Sequence, residues 1–154
     1  MLRRAGDEDL PRLVEIWMEM MRTHHEFEPR MMLSRAAGPA YQSYLTLHCR
    51  SAKSIVALDE EEGAGIVAFC CAYMCLNLPM FDPPEFGYIS DLVVTPAWQG
   101  HGIGTALLDH VTDWFKRYDL KCMQLQVYHH NEKGQQFWRS KGYESFVERL
   151  WLDV

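Results

Sequence analysis

The sequence lacks several features that would place it in a specialised class of protein. No apolar run approaches the ~20 residues that a membrane-spanning helix needs, so no membrane role is expected. No low-complexity stretch, long linker or internal repeat divides the 154 residues, and we expect one domain over residues 1–154. The basic start becomes acidic by Asp7, which disfavours a signal peptide and favours a cytoplasmic protein.

Cysteine and histidine are present, but not at the spacing of a metal site. The five cysteines include no C-x-x-C pair, and Cys70, Cys71 and Cys75 fall within one expected strand. We interpret them as free thiols of a reducing compartment. The adjacent pairs His24-His25 and His129-His130 direct their rings differently on a helix or strand, so neither pair chelates well alone. We therefore expect no bound metal.

Basic charge is also scarce. The chain has 15 lysines and arginines against 21 aspartates and glutamates, for a net charge of −6. Nucleic acid is therefore not an expected partner, because a phosphate backbone requires a basic face. The hydrophobic content of 48% and charged content of 23% are ordinary for a globular domain.

The chain contains a mixed succession of strands and helices. Apolar spacing predicts a helix beginning near Leu10 and a second helix from Ala40 to Arg50. Strands are predicted at 54–58, 65–76, 86–94 and 123–127, with a strand pair over 143–154 and helices after Gly104 and over 132–141. Consecutive strands followed by a strand–helix–strand pattern indicate an α+β (mixed α/β) fold.

The most informative segment is a strand, a glycine-rich loop and a helix in direct succession. The apolar strand Tyr88–Val94 stops before Thr95-Pro96, and the loop Gln99–Gly104 opens a long amphipathic pattern. Glycine lets a ligand approach the backbone, and the first N–H groups of a helix have no partner within it. The helix dipole adds positive character there, so the segment predicts a site for a phosphate or another anion.

The glycine spacing narrows the choice of ligand. It fits neither the dinucleotide pattern G-x-G-x-x-G nor the P-loop pattern G-x-x-x-x-G-K-[ST]. Gln99–Gly104 instead resembles the coenzyme A pyrophosphate loop, [RQ]-x-x-G-x-[GA], of the GNAT superfamily of N-acetyltransferases. Residues 131–143 resemble the family's later motif, N-x-x-[AG]-x-x-[FL]-Y-x-x-x-G-[FY], with Trp138 at the usual tyrosine. The start, residues 2–11, also looks like the family's opening strand and first helix.

This resemblance implies both a fold and a reaction. The GNAT-type acyl-CoA N-acyltransferase fold has a six- or seven-stranded mixed, mostly antiparallel sheet with helices on both faces. The implied reaction is direct transfer of the acetyl group of acetyl-CoA to a primary amine of a small molecule or protein. The alternatives are an acyl-CoA-binding sensor or partner protein of this fold with little catalysis, and an unrelated nucleotide-binding α/β protein. Homodimers are common among similar proteins.

The resemblance also assigns residues to the acetyl-CoA cofactor. It places the pyrophosphate on the loop and the start of the helix, and the pantetheine arm along the central strand. Asn131 matches the family residue that often reaches the cofactor, and it can also cap its helix. Trp138 can hold the sulfur without protonating it. The implied cofactor-binding residues are Leu92, Val93, Val94, Gln99, Gly100, His101, Gly102, Ile103, Gly104, Thr105, Asn131 and Trp138.

The catalytic groups are less closely specified by the sequence. By resemblance the N–H of Val93 is the candidate donor to the acetyl oxygen. Asp91, with Ser90 beside it, is the candidate base, or else a structural acid, and simple alternation would place the two on opposite faces of the strand. Glu85 and Tyr88 are further candidates for the base. Because the indole of Trp138 cannot supply a proton, Tyr128, Tyr143 or solvent is expected to do so.

Overall fold

A five-stranded sheet organises the chain. The computed structural model describes residues 1–154, and the sheet order follows the sequence from first strand to last. The strands are β1 (Leu2–Arg4), β2 (Ser54–Glu61), β3 (Gly65–Leu76), β4 (Glu85–Val94) and β5 (Met123–Leu125). The helices are α1 (Leu10–Phe27), α2 (Ala37–Arg50), α3 (Ile103–Arg117) and α4 (Glu132–Ser140). All neighbouring strands are antiparallel except β4 and β5, which are parallel.

Helices cover both faces of the sheet. On one face α1 and α2 bury Leu13 and Leu45 against Phe69 of β3. On the other face α3 buries Leu107 and Val111 in a second apolar cluster. Alternate side chains of a strand point to opposite faces, so the central strands contribute to both clusters. The expected mixed sheet with helices on both faces is confirmed, and none of these helices is both long and apolar enough to cross a bilayer.

The number of strands is lower than the six or seven expected. Residues 143–154, predicted to form a final strand pair, belong to no helix or strand. Phe146, Leu150 and Leu152 in this segment are exposed. Apolar and β-branched residues favour extended backbone, but a strand also needs an edge to pair with. The segment lacks such a partner within the chain, and β5 ends at Leu125 instead of Val127.

Candidate functional site

Six consecutive backbone N–H groups at the start of α3 have no partner in the protein. None of the N–H groups from Gly100 to Thr105 donates a hydrogen bond, and the first bond of the helix runs from Ala106 N–H to Gly102 O at 3.0 Å. Unpaired N–H groups at the start of a 15-residue helix, together with its dipole, favour a bound anion. The segment predicted to bind an anion thus presents a row of free N–H donors.

Two glycines keep the space above these donors open. Gly100 and Gly102 have φ values of 80° and 82°, a left-handed conformation that other residues rarely adopt. A Cβ built on either residue meets nothing within 4 Å. Side chains here would strain the backbone and extend into the space that an anion would occupy.

The glycine loop is fastened to the end of β4. The side-chain amide of Gln99 donates to Val94 O at 3.0 Å, and Nδ1 of His101 lies 3.0 Å from Gln99 O. A Cβ built on Gly104 would lie 3.5 Å from Cγ2 of Val94, so helix and strand approach closely there. The loop Gln99–Gly104 and the strand β4, both predicted to bind the cofactor, are therefore in contact.

One edge of β4 is free beside this loop. β4 pairs with β5 only at Gly87–Ile89, whereas it pairs with β3 as far as Val94. The two parallel strands therefore separate after Ile89, which leaves a crevice beside the second half of β4. Backbone groups that point into this crevice have no strand to pair with.

The register identifies which residues point into the crevice. Thr95 N–H donates to Val67 O at 2.9 Å, and Val94 lies opposite Ala68. Because hydrogen-bonded pairs alternate along an antiparallel ladder, the backbone of Val93 is directed toward β3. The backbone N–H groups of Leu92 and Val94 then point to the free edge. The N–H of Val93, the predicted donor to an acetyl oxygen, is thus directed toward β3 instead of the free edge.

A β-bulge in β4 changes which face of the sheet the side chains before Leu92 point to. Asp91 lies opposite Cys71, but Ile89 lies opposite Ala72, so Ser90 is an extra residue. The bulge shifts the alternation by one position. Ser90 and Asp91 do not point to opposite faces as predicted, because the Ser90 hydroxyl donates to Asp91 Oδ2 at 2.7 Å. It also lies 3.2 Å from Cys71 O.

Asp91 lies among aromatic side chains under α1 and α2. The indole nitrogen of Trp17 donates to Asp91 Oδ1 at 3.1 Å. The hydroxyl of Tyr41 is near enough to act on the same carboxyl but lacks hydrogen-bond geometry. Burial raises the pKa of Asp91, and the hydrogen bonds from Ser90 and Trp17 partly oppose this effect. A raised pKa makes this carboxylate a better proton acceptor near neutral pH than an ordinary aspartate.

Tyr128 lies beyond the end of β5, beside the end of α1. Its ring is 5.2 Å from that of His24 and 6.3 Å from that of Phe27. Burial raises the pKa of Tyr128, so its hydroxyl keeps its proton at neutral pH. Burial lowers the pKa of His24, whose Nδ1 is buried without a hydrogen-bond partner. This corner therefore holds a protonated phenol and an uncharged imidazole.

Asn131 and Trp138 occupy structural positions in α4. Asn131 is the N-cap, and its Oδ1 accepts a hydrogen bond from Gly134 N–H at 3.0 Å. The Trp138 ring contacts Phe137 and Tyr143 edge-on, at centroid distances of 5.0 and 5.2 Å. All three rings pack against the α3-side apolar cluster. Asn131 therefore caps α4, and Trp138 packs against neighbouring rings. Neither structural role excludes a contact with the cofactor.

Three residues around the site were not assigned to it from the sequence. Trp17 and Tyr41 surround the Asp91 carboxyl, and His24 contacts Tyr128. Trp17 and Tyr41 fall within the two predicted amino-terminal helices, and His24 is noted only as one of an adjacent pair of histidines. No local pattern marks their partners, because the contacts join segments far apart in the chain.

Comparison with known proteins places the chain among acetyltransferases. The sequence model of the Acetyltransferase (GNAT) family matches residues 11–143. The chain is 28% identical over 106 residues to the uncharacterized N-acetyltransferase YhfO of Bacillus subtilis (strain 168), a match that covers 67% of each protein.

Several solved structures share the fold over the whole chain. A tetramutant of the BH1408 protein from Bacillus halodurans superposes with a TM-score of 0.86 at 21% identity, covering 100% of this chain and 99% of that one. A predicted acetyltransferase from Clostridium acetobutylicum, crystallised with acetyl-CoA, has a TM-score of 0.78 at 19% identity, covering 99% and 95%. An aminoglycoside 6'-N-acetyltransferase from Acinetobacter haemolyticus has a TM-score of 0.77 at 13% identity, covering 100% and 97%.

The family match spans most of the chain and agrees with the strand, glycine loop and helix described above. This protein belongs to the GNAT family of acetyltransferases, whose members use acetyl-CoA.

Proposed function

We propose that this protein transfers the acetyl group of acetyl-CoA directly to a primary amine. The proposal rests on one observation: two sets of backbone N–H groups without hydrogen-bond partners lie next to each other. The free N–H groups of Gly100–Thr105 lie at one end of β4, and the free edge of β4 at Leu92 and Val94 adjoins them. The first set suits a pyrophosphate, and the second suits the amides of a pantetheine arm.

The residues present fit the cofactor. When bound, acetyl-CoA supplies the thioester whose carbonyl carbon the amine attacks. Gly100–Thr105 would hold the pyrophosphate, and Leu92 and Val94 would pair with the arm as an added strand. Asn131 and Trp138 lie in α4, whose Phe137 ring lies 3.7 Å from a Cβ built on Gly104 at the start of α3. This packing supports a contact between α4 and the arm.

The N–H of Leu92 is the proposed donor to the acetyl oxygen. It points into the crevice, so it is available to a ligand without breaking the sheet. A preorganised donor at this position would stabilise the negative charge that develops on that oxygen by about 3–4 kcal/mol. Val93 contributes by fixing the strand, since its side chain is buried under α1 and α2.

Asp91 and Tyr128 are the proposed proton acceptor and donor. Asp91, held by Ser90 and Trp17, would take the proton of the attacking amine directly or through a water. Tyr128 would give its proton to the departing sulfur, and its raised pKa keeps that proton available. Tyr143 is less suited to this role, because its hydroxyl is directed at Met123 Sδ, 4.0 Å away.

The acceptor is proposed to be an amine on a small molecule or a protein. Related structures include an aminoglycoside 6'-N-acetyltransferase, which supports amine chemistry on this fold. The rival function, an acyl-CoA-binding sensor with little catalysis, is favoured by one observation, the replacement of the expected tyrosine by Trp138. The two functions share a cofactor and differ in turnover.

Calorimetric titration with acetyl-CoA, using NADH and ATP as controls, tests the cofactor site. Selective binding of acetyl-CoA is expected, and equal binding of ATP or NADH would contradict the assignment. Thiol release measured with and without an added amine then separates the two functions. Amine-dependent release supports catalysis, whereas binding without release across a broad set of amines supports the sensor.

A further inference from the structure

A continuous row of aromatic rings extends from Asp91 on the α1–α2 face of the sheet. We call it the aromatic strip: Trp17, Tyr41, Tyr44, His48, Tyr73 and Tyr88, with successive centroid distances of 4.0, 5.6, 4.4, 4.5 and 5.5 Å. Its first two rings surround the Asp91 carboxyl. Apart from Tyr41, which is buried, its rings are only partly buried. Partly exposed rings beside a carboxyl group form a surface that a ligand can contact.

The bulge at Ser90 creates this surface. Tyr88 lies opposite Tyr73, and Asp91 lies opposite Cys71. Because Tyr73 and Cys71 are two residues apart on β3, all four side chains share one face of the sheet, although Tyr88 and Asp91 are three residues apart on β4. In a regular strand, residues three apart point to opposite faces. The bulge thus brings the carboxyl and the partly buried rings of Tyr73 and Tyr88 to the same side.

Asp91 is the carboxylate that adjoins the strip, at the indole of Trp17. Burial raises the pKa of Tyr41, Tyr73 and Tyr88, and the negative charge of Asp91 raises each of them further. Arg149, from the exposed carboxyl-terminal segment, lowers the pKa of Tyr88. Aromatic ring faces attract cations and stack on flat apolar groups. This surface therefore suits one positive charge joined to an aromatic body.

We propose that the acceptor is an arylalkylamine, with its amine at Asp91 and its ring against the aromatic strip. This inference rests on the proposed acetyltransferase function and specifies its substrate class. Aminoglycosides and polyamines carry several cations, and the strip offers a single carboxylate to receive them. Ring contacts and one ion pair favour a monoamine.

Rates of thiol release with phenethylamine, tryptamine, spermidine and kanamycin test the substrate class. We expect kcat/KM for the two arylalkylamines to exceed that for the other two amines by about tenfold or more. A preference for spermidine or kanamycin would overturn the inference and leave the acetyltransferase function intact. Failure to bind acetyl-CoA would instead overturn the proposed function and this inference with it.

Two variants test the strip with a binding measurement. Tyr73→Leu should raise the calorimetric Kd of phenethylamine for the protein–CoA complex about three- to tenfold, with the Kd of acetyl-CoA unchanged. The control is Tyr118→Leu, at an exposed tyrosine following α3. Equal effects of the two variants, or no effect of Tyr73→Leu, would overturn the role of the strip.

Discussion

The indole nitrogen of Trp17 donates a hydrogen bond to Asp91 Oδ1 at 3.1 Å, across 74 positions of sequence. This bond joins α1 to the bulged strand β4 and fixes the orientation of the carboxyl. Burial raises the pKa of Asp91, and the hydrogen bond from Trp17 partly opposes this increase. The proton affinity of Asp91 therefore depends on the packing of α1, which is distant in sequence. The proposed base is thus positioned by the tertiary fold.

Gly102→Glu should abolish acetyl-CoA binding. The new side chain would place a carboxylate in the open space above the free N–H groups, where the pyrophosphate is proposed to bind. Calorimetry measures the affinity. Gly63→Glu is a matched control, because Gly63 also has a positive φ, 77°, and open space around it, but lies in the β2–β3 turn. The control should bind normally, and retained micromolar affinity in Gly102→Glu would contradict the loop assignment.

Leu92→Pro should lower kcat by about 10²–10³-fold, because proline lacks the N–H proposed to stabilise the acetyl oxygen. The fold should survive, since that N–H faces the free edge of β4 instead of β3. Leu92→Ala removes the side chain but keeps the N–H, and should retain most of the activity. Steady-state kinetics that show equal losses in both variants would count against the donor. Val93→Pro should instead lower the melting temperature, because its N–H is directed toward β3.

Trp138→Tyr should preserve acetyl-CoA binding and raise turnover. The phenol would supply a proton at the position where the indole has none to give. The ring of Trp138 packs against Phe137 and Tyr143, so a loss of about 1 kcal/mol in unfolding free energy is expected from the smaller side chain. Single-turnover rates and thermal melts separate the two effects. A collapse of stability without a gain in rate would show that Trp138 serves only in packing.

Asp9→Asn should destabilise the fold by about 2 kcal/mol at pH 7, because it breaks a charged pair with Arg3 in which the Asp9 side chain is buried. Arg3 lowers the pKa of Asp9 below its unfolded value of about 3.9. The stabilisation is therefore present above the unfolded pKa and is lost as the pH falls through the lower folded pKa.

Urea titrations of Asp9→Asn and the natural chain at pH 7 and at pH 3 measure this change. The difference in unfolding free energy between them should shrink at the lower pH. Asp7→Asn is the control, since Asp7 pairs with Arg50 on the exposed surface and should change stability little. A gap that is constant with pH would show that the Arg3–Asp9 charge pair does not stabilise the fold.

The sequence was sufficient for the parts of the site that are local. Glycines at 100 and 102 allow a left-handed backbone, and the helix that follows leaves its first N–H groups free, all within six consecutive residues. Apolar periodicity located α3 and β3 for the same reason, because each depends on neighbouring residues. The family motif added the cofactor, and the family match supports it.

Only the tertiary structure decided which groups meet across elements. The bulge at Ser90, the separation of β4 from β5 after Ile89 and the unpaired segment after Tyr143 arise from pairing between strands. Alternation along a single strand could not reveal a shift in register, so Ser90 and Asp91 were expected on opposite faces and Val93 as the donor. Local backbone preferences are encoded by adjacent residues, whereas register and long-range contacts depend on the free energy of packing the whole chain.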